Sequence, residues 1–219
     1  MHQSCFPPGQ LGLWAISEPE SWLRDQLILL GEEQKQLDAI KGEGRRKEFL
    51  AARLLLHKLS KRPVRAALIK DRHGKPRLAD SRYQISISHT NGLSAAFAHP
   101  KPCGVDVQRL VQKIHRIAPK FINKQESGYL SVQDDGDLLI EQHLIWSAKE
   151  AMYKAYGLKQ LDFKAHLTVI LPELKKSSGP FVGTLKKAEL TIQYDFQYWI
   201  IDKDTVLVVC VERERPANV

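Results

Sequence analysis

The most informative stretch of the chain is Trp146-Ser147-Ala148-Lys149-Glu150-Ala151-Met152-Tyr153-Lys154. Its residues Trp146, Glu150 and Lys154 recur at intervals of four, which places their side chains along one face of a helix. Lys149 would point about 100° away from Glu150 on such a helix, because each turn takes 3.6 residues. The stripe is typical either of an ordinary stabilised helix, with Trp146 in the core, or of a site that uses a carboxylate and an ammonium.

A second stretch precedes the first by about forty residues and reads Cys103-Gly104-Val105-Asp106-Val107-Gln108-Arg109. Its alternation predicts a β-strand with Asp106 and Gln108 on one face and two valines on the other. Mg²⁺ in proteins is typically held by one or two carboxylates together with substrate phosphates. Asp106 and Glu150 are therefore a candidate pair of metal ligands.

Together, these stretches resemble the signature of a known family. The elements G-V-D-V and W-S-x-K-E-x-x-x-K, in this order and at this spacing, are similar to those of the 4′-phosphopantetheinyl transferases. Upstream, Gly74-Lys75-Pro76 and Ser86-Ile87-Ser88-His89-Thr90 look like two further elements of the family. The resemblance covers roughly residues 45–154. The chain length is similar to that of the large, monomeric, two-halved surfactin-type class and not to the short trimeric class.

The resemblance implies both a fold and an activity. The implied fold is α+β, with two similar halves that each pack a small antiparallel sheet against helices, and with the active site between the halves. We expect these halves at residues 1–103 and 104–219. The implied activity is transfer of the 4′-phosphopantetheine arm from coenzyme A to a serine of an apo acyl or peptidyl carrier protein, with release of adenosine 3′,5′-bisphosphate.

The resemblance also implies roles for the residues of the two signature stretches. Asp106 and Glu150 would bind Mg²⁺, with Mn²⁺ as an alternative, and Glu150 or a water beside it would take the serine proton. Lys154 would offset charge on the transferred phosphate. Gln108 departs from the family, because surfactin-type members usually have Glu there. An amide keeps an oxygen but lacks a charge, so Gln108 would bind the metal weakly or through a water.

The same resemblance implies that coenzyme A, the substrate, is bound by a mainly basic set of side chains. They are Arg46, Arg53, Lys75, Ser88, His89 and Lys154. Arginine suits this role because its planar guanidinium can bind a phosphate through two hydrogen bonds. Other interpretations stay open. The two arginines also fit a basic solvent face of a helix, and His89 also fits an ordinary residue at the end of a strand.

Regular structure is predicted over several further segments: helices at residues 45–60 and 137–157, and strands at residues 83–88, 93–98 and around Asp106. The three strands follow one another through short connections, so we expect an antiparallel meander. Asn123 should cap a helix with Glu126 three residues on, and Gly157 should end the long helix.

Composition and charge limit the cellular setting and the partners. The 219 residues include 33 basic and 25 acidic residues, which gives a net charge of +8. No apolar run is long enough to span a bilayer, and no secretory signal is apparent. Cys5, Cys103 and Cys210 have no metal-like spacing and are expected to be free thiols. We therefore expect a cytoplasmic monomer that meets no membrane and no nucleic acid, and whose basic surface attracts an acidic carrier protein.

Two other functions remain open on the sequence alone. A basic nucleic-acid-binding module would account for the charge, but it predicts interleaved aromatic residues and a nucleic-acid-binding motif that the sequence lacks. A non-catalytic descendant of the enzyme, which binds coenzyme A or a carrier without transferring anything, would account for Gln108.

Overall fold

The computed structural model describes residues 2–3, 6–132, 134–172 and 177–214. The chain divides into two compact units, Met1–Pro102 and Cys103–Val219. Each unit contains one antiparallel sheet packed with helices, which confirms the predicted α+β class with two halves. None of the described helices is both long enough and apolar enough to cross a membrane. Cys103 and Cys210 are buried thiols that belong to no disulfide, whereas Cys5 lies outside the described residues.

The first unit is a six-stranded sheet in the order β1-β2-β6-β5-β4-β3, in which all neighbouring strands are antiparallel. Its strands are β1 (His2–Gln3), β2 (Gln10–Ala15), β3 (Leu68–Lys70), β4 (Pro76–Leu78), β5 (Gln84–Thr90) and β6 (Leu93–His99). Its helices are α1 (Glu20–Asp25), α2 (Glu33–Asp38) and α3 (Glu43–Ser60). The leucines of α3 form its main core, because they are buried against the sheet together with Ile85 and Ala96.

The second unit is a five-stranded antiparallel sheet in the order β7-β11-β10-β9-β8. Its strands are β7 (Cys103–Arg109), β8 (Leu167–Ile170), β9 (Ser178–Lys187), β10 (Leu190–Ile201) and β11 (Thr205–Glu212). Its helices are α4 (Ile114–Phe121), α5 (Lys124–Ser127), α6 (Asp135–Tyr156) and α7 (Phe163–His166).

The long helix α6 is defined by clear signals at both ends. Asp134 caps its first turn by accepting hydrogen bonds from the backbone N–H groups of Gly136 and Asp137. Gly157 ends it in a left-handed conformation, with φ of 70°, as predicted. The predicted capping box is also confirmed, since Asn123 and Glu126 cap α5 reciprocally. One apolar side of α6 is fully buried with the β-sheet in the core of this unit.

The predicted three-stranded meander is wrong. β5 and β6 do form an antiparallel pair, but β7 pairs with β11 in the other sheet, with Asp106 opposite Val208. The short link between β6 and β7 contains Pro100 and Pro102. Proline lacks a backbone N–H and cannot continue a ladder of strand hydrogen bonds, so the chain leaves the first sheet at this link.

Candidate functional site

The candidate site in the second unit lies where the backbones of β7 and α6 pack closely together. A Cβ atom on Gly104 would lie only 1.9 Å from the backbone oxygen of Ala151. Real side chains never approach so closely, so only glycine allows β7 to pack this tightly on α6. The contact explains the glycine of the stretch that forms β7 and brings Asp106 beside the polar stripe of α6.

Asp106 is the buried centre of this cluster. Although it is only 2 % exposed, both of its carboxylate oxygens accept a hydrogen bond. Lys154 Nζ donates to Oδ1 at 2.7 Å, and Gln108 Nε2 donates to Oδ2 at 3.1 Å. Lys154 Nζ also donates to the backbone oxygen of Val105 at 2.9 Å. The ammonium and the amide thus neutralise and orient a carboxylate that would otherwise be costly to bury.

Glu150 completes the cluster and is half-buried. Burial raises the pKa of its carboxyl, and the nearby charge of Asp106 raises this pKa further, while Lys154 acts in the opposite direction. Two neighbouring carboxylates in a partly buried site repel each other, and a cation bound between them stabilises their ionised forms. The structure therefore places the two predicted metal ligands, Asp106 and Glu150, in an environment that fits a divalent cation.

The donor set of this cluster is small. Within residues 2–3, 6–132, 134–172 and 177–214, no group of three or more His, Cys, Asp or Glu side chains is arranged to hold a metal ion. Two carboxylates without a third fit Mg²⁺, which usually completes its shell with waters and substrate phosphates. Gln108, the residue that departs from the family, is engaged as a hydrogen-bond donor to Asp106. A glutamate at that position could not donate this bond and would add a third carboxylate to Asp106 and Glu150.

Unlike Lys154, two other residues of the α6 stretch, Lys149 and Trp146, lie outside the Asp106 cluster and have structural roles. Lys149 is fully buried, and its Nζ donates to Glu126 at 2.7 Å and to the backbone oxygens of Phe121 at 2.6 Å and Phe163 at 2.9 Å. It points away from Glu150, as the helical period predicts, and it is a structural residue. Trp146 is also structural, because its ring packs on those of Phe121 and Phe163.

The first unit holds the other predicted residues, and two of them are engaged in ion pairs. Arg46 binds Glu20, with Nε 2.8 Å from Oε2, and it also donates to two backbone oxygens. Arg53 is 4 % exposed and donates to Glu33 and Gln36. Burial lowers the pKa of Arg53 to about 10, so its guanidinium stays charged at neutral pH. Its placement in the interior favours a structural role over the predicted phosphate contact.

Lys75 lies in a turn of the first unit, and Ser88 and His89 lie on one strand. Lys75 follows Gly74 in the β3–β4 turn, where its backbone N–H donates to Asp71. Ser88 and His89 are neighbours near the end of β5, and their side chains alternate, with Ser88 buried and His89 exposed. The exposed imidazole of His89 is therefore accessible to a ligand, as its predicted role requires.

Glu48 on α3 is a residue that the sequence did not reveal. Its Oε1 accepts the backbone N–H of Gly92 at 3.2 Å, and its Oε2 lies 3.8 Å from Nε2 of His89. It thereby joins α3 to the turn that follows His89. The only sequence signal is Arg45, three residues earlier on the same helix and bound to Glu48 at 3.2 Å. That spacing is too common to identify a site.

The geometry of the second unit agrees with a comparison against protein families. Residues 102–210 match the model of the 4′-phosphopantetheinyl transferase superfamily. The matched segment contains Asp106, Gln108, Glu150 and Lys154. A comparison with curated proteins found no match.

Proposed function

We propose that this protein is a 4′-phosphopantetheinyl transferase of the large surfactin-type class. It would move the phosphopantetheine arm from coenzyme A to a serine of an apo acyl or peptidyl carrier protein, with Mg²⁺ as cofactor. The observation that carries the proposal is the cluster of Asp106, Glu150 and Lys154 inside the matched domain. A monomeric state in the cytoplasm belongs to the same proposal.

The reaction is a phosphoryl transfer at the pyrophosphate of coenzyme A. The serine oxygen of the carrier forms a bond to the phosphorus that bears pantetheine, the bond from that phosphorus to the bridging oxygen breaks, and adenosine 3′,5′-bisphosphate leaves. Such reactions depend mainly on positioning and on stabilisation of charge. Asp106 and Glu150 would hold Mg²⁺, which supplies charge neutralisation at the phosphate oxygens.

The residues of the cluster would divide the remaining work. Glu150, or a water beside it, would accept the serine proton; in the absence of a metal, burial and the charge of Asp106 raise the pKa of its carboxyl. A general base typically accelerates a reaction by about 10²–10⁴-fold. Lys154 uses two of its three N–H donors on Asp106 and Val105, and the third would donate to the transferred phosphate. Gln108 would hold Asp106 in place rather than bind the metal.

Coenzyme A would be bound by side chains of the first unit. The exposed imidazole of His89 and the ammonium of Lys75 are suited to phosphate oxygens, and Ser88 would assist through its hydroxyl. Arg46 keeps a partly exposed guanidinium and stays in this set, with its side chain 25 % exposed. Arg53 is left out of it, because its side chain is only 3 % exposed.

The carrier protein would meet the basic face of α4 and α5. Four cationic side chains are exposed there: Lys113, Arg116 and Lys120 recur at intervals of three and four along α4, and Lys124 begins α5. The apolar side of α4, which includes Ile114 and Phe121, is buried, so the basic face is fixed toward solvent. Carrier proteins of this kind are generally acidic, and opposite charges steer partners together and speed their association.

The test is the intact mass of an apo carrier protein after incubation with this protein, coenzyme A and Mg²⁺. The parent should add one phosphopantetheine arm, and both Glu150→Gln and Asp106→Asn should lose most of the transfer. Arg109→Gln is the matched control, since Arg109 lies on the same strand but binds the exposed Asp204 at 2.5 Å. Absence of both transfer and coenzyme A binding in the parent would overturn the proposal.

Gln108 favours a second candidate function, a binding protein that descends from the enzyme. In that case the parent would bind coenzyme A but modify no carrier, even with Mn²⁺ supplied. Gln108→Glu would then restore transfer by adding the missing carboxylate. If the parent transfers the arm and Gln108→Glu only changes the Mg²⁺ concentration that it needs, the binding-only candidate is excluded.

A further inference from the structure

A cavity opens at the C-terminal end of α3 in the first unit, and its volume is about 410 Å³. This volume falls within the range of about 300–1,000 Å³ that small-molecule sites typically occupy. The cavity combines an apolar interior with a cationic rim. We propose that it binds a small amphipathic anion, namely a medium-chain carboxylate whose alkyl tail enters the interior and whose carboxylate binds at the rim.

The interior of the cavity is continuous with the core of the first unit. Leu56 and Leu59 on the last turns of α3 line it, together with Leu78 of β4 and Tyr83 just before β5. The two α3 leucines also belong to the buried cluster that packs α3 on the sheet. An alkyl chain in this space would leave water and contact side chains that already form an apolar surface, which is the main driving force for binding such a tail.

The rim carries two positive charges, Lys61 and Arg62, and the described residues that line the cavity include no carboxylate. Arg62 is held in place because Nη1 donates to the backbone oxygen of Ala79 at 3.2 Å and Nη2 donates to that of Asp80 at 2.7 Å. An anion at the rim would therefore meet a positioned guanidinium and an ammonium, and both would form charge-assisted hydrogen bonds.

Lys61 occupies a position where a helix usually has glycine. It ends α3 in the left-handed conformation with φ of 52°, which strains any residue that has a Cβ. The fold alone would be served better by glycine at this position. The lysine instead places a positive charge at the mouth of the cavity, where it can form an ion pair with a bound anion.

This cavity lies away from Arg46 and His89, two of the residues that are proposed to bind coenzyme A in the same unit. α3 has 18 residues, so its ends lie about 27 Å apart at 1.5 Å per residue. Arg46 lies near the first end and Lys61 follows the last. On β5, likewise, Tyr83 precedes the strand whereas His89 is near its end. Binding in the cavity therefore stands or falls independently of the transferase proposal.

The experiment measures decanoate binding to the full chain by isothermal titration calorimetry. Decanoate should bind at a single site, while decan-1-ol, which lacks the charge, and acetate, which lacks the tail, should bind far more weakly. Amide chemical shifts should change at Gln10 and Ala98, two further lining residues. Equal affinity for decanoate and decan-1-ol, absence of saturable binding, or shifts confined to other parts of the chain would overturn the proposal.

Lys61→Gly separates ligand binding from folding. Glycine relieves the left-handed strain, so the variant should unfold at the same or a higher temperature than the parent. Its affinity for decanoate should nevertheless be about tenfold weaker, because one charged hydrogen bond is lost. Lys58→Gln, which removes an exposed charge from the same helix outside the cavity, is the control and should bind like the parent. Unchanged affinity in Lys61→Gly would contradict the assignment.

Discussion

Lys149 and Lys154 show how much the role of a residue depends on the direction in which its side chain leaves a helix. They are five positions apart on α6, and only Lys154 reaches Asp106. Lys149 enters the interior and forms a fully buried ion pair with Glu126, which also caps α5 and accepts the backbone N–H of Val169. The helical period predicted the divergence, but the identity of the buried partner depended on contacts across 23 residues of chain.

Removal of Lys149 should destabilise the protein strongly. Lys149→Met leaves the carboxylate of Glu126 buried without its cation, and breaking a buried pair in this way typically costs about 3–5 kcal/mol. The free energy of unfolding, measured by denaturant titration, should recover in part in Lys149→Met/Glu126→Gln, because the remaining amide is neutral. Lys154→Met should lose transfer activity with a smaller loss of stability, since the side chain of Lys154 is 25 % exposed. Equal losses of unfolding free energy in Lys149→Met and Lys154→Met would show that the buried ion pair contributes no more to stability than the partly exposed one.

Gly104 should tolerate no side chain. Gly104→Ala places a Cβ against the backbone of Ala151, which cannot move as a side chain can, so β7 and α6 must separate. We expect a lower unfolding temperature and loss of transfer, because Asp106 moves away from Glu150. Gly44→Ala is the control: a Cβ there meets nothing within 4 Å in α3. It should stabilise the protein by up to about 1 kcal/mol, the helical preference of alanine over glycine. A Gly104→Ala variant with parental stability would contradict the close contact.

At the scale of elements, the second unit depends on how α6 holds its neighbours. His143, buried on α6, accepts the backbone N–H of Val111 through Nε2 at 3.2 Å, and its Nδ1 bonds the backbone oxygen of Leu139 at 2.8 Å. It thus joins α6 to the segment that follows β7. The first bond requires a neutral imidazole, because a protonated ring cannot accept a hydrogen bond.

The stability of the protein should fall as the pH drops below neutrality. Burial lowers the pKa of His143 from its ordinary value of 6.5, and burial also lowers that of His99. The unfolded chain therefore binds protons near pH 6.5 that the folded protein does not, and the free energy of unfolding decreases as pH falls. Denaturant titrations from pH 7.5 down to about pH 5.5 should show this slope. It should become shallower in His143→Gln. If the pH dependence of the unfolding free energy were unchanged in His143→Gln, other groups would have to cause it.

The sequence predicted single elements better than their partners. Asp106 and Gln108 share a strand face, as alternation requires, and Gly157 ends α6 as expected of a glycine cap. These features follow from local geometry. The pairing of β7 with β11 was not predictable, since the two strands are about a hundred residues apart and both are rich in valine. The ion pair of Arg53 was not predictable for the same reason: its partner Glu33 belongs to another helix, twenty residues earlier.

At the scale of the whole molecule, part of the net charge of +8 is concentrated on the exposed basic face of α4 and α5. Charge reversal there, in Lys113→Glu/Arg116→Glu, should raise the KM for the carrier protein several-fold and leave coenzyme A affinity unchanged. The effect should shrink at high salt, because screening already weakens the attraction in the parent. The same reversal at Lys35 and Lys58, two exposed lysines of the first unit, is the control. Equal effects of both reversals would mean that only total charge matters.

The most direct measurement of the central claim is single-turnover transfer to an apo carrier protein, followed by intact mass across a range of Mg²⁺ concentrations. The parent should transfer the arm only when Mg²⁺ is present, Arg109→Gln should match it, and Glu150→Gln should be slower by about 10²-fold or more at every concentration. Transfer by Glu150→Gln at the parental rate would contradict the account, because the acid beside Asp106 and Lys154 would then have no part in the reaction.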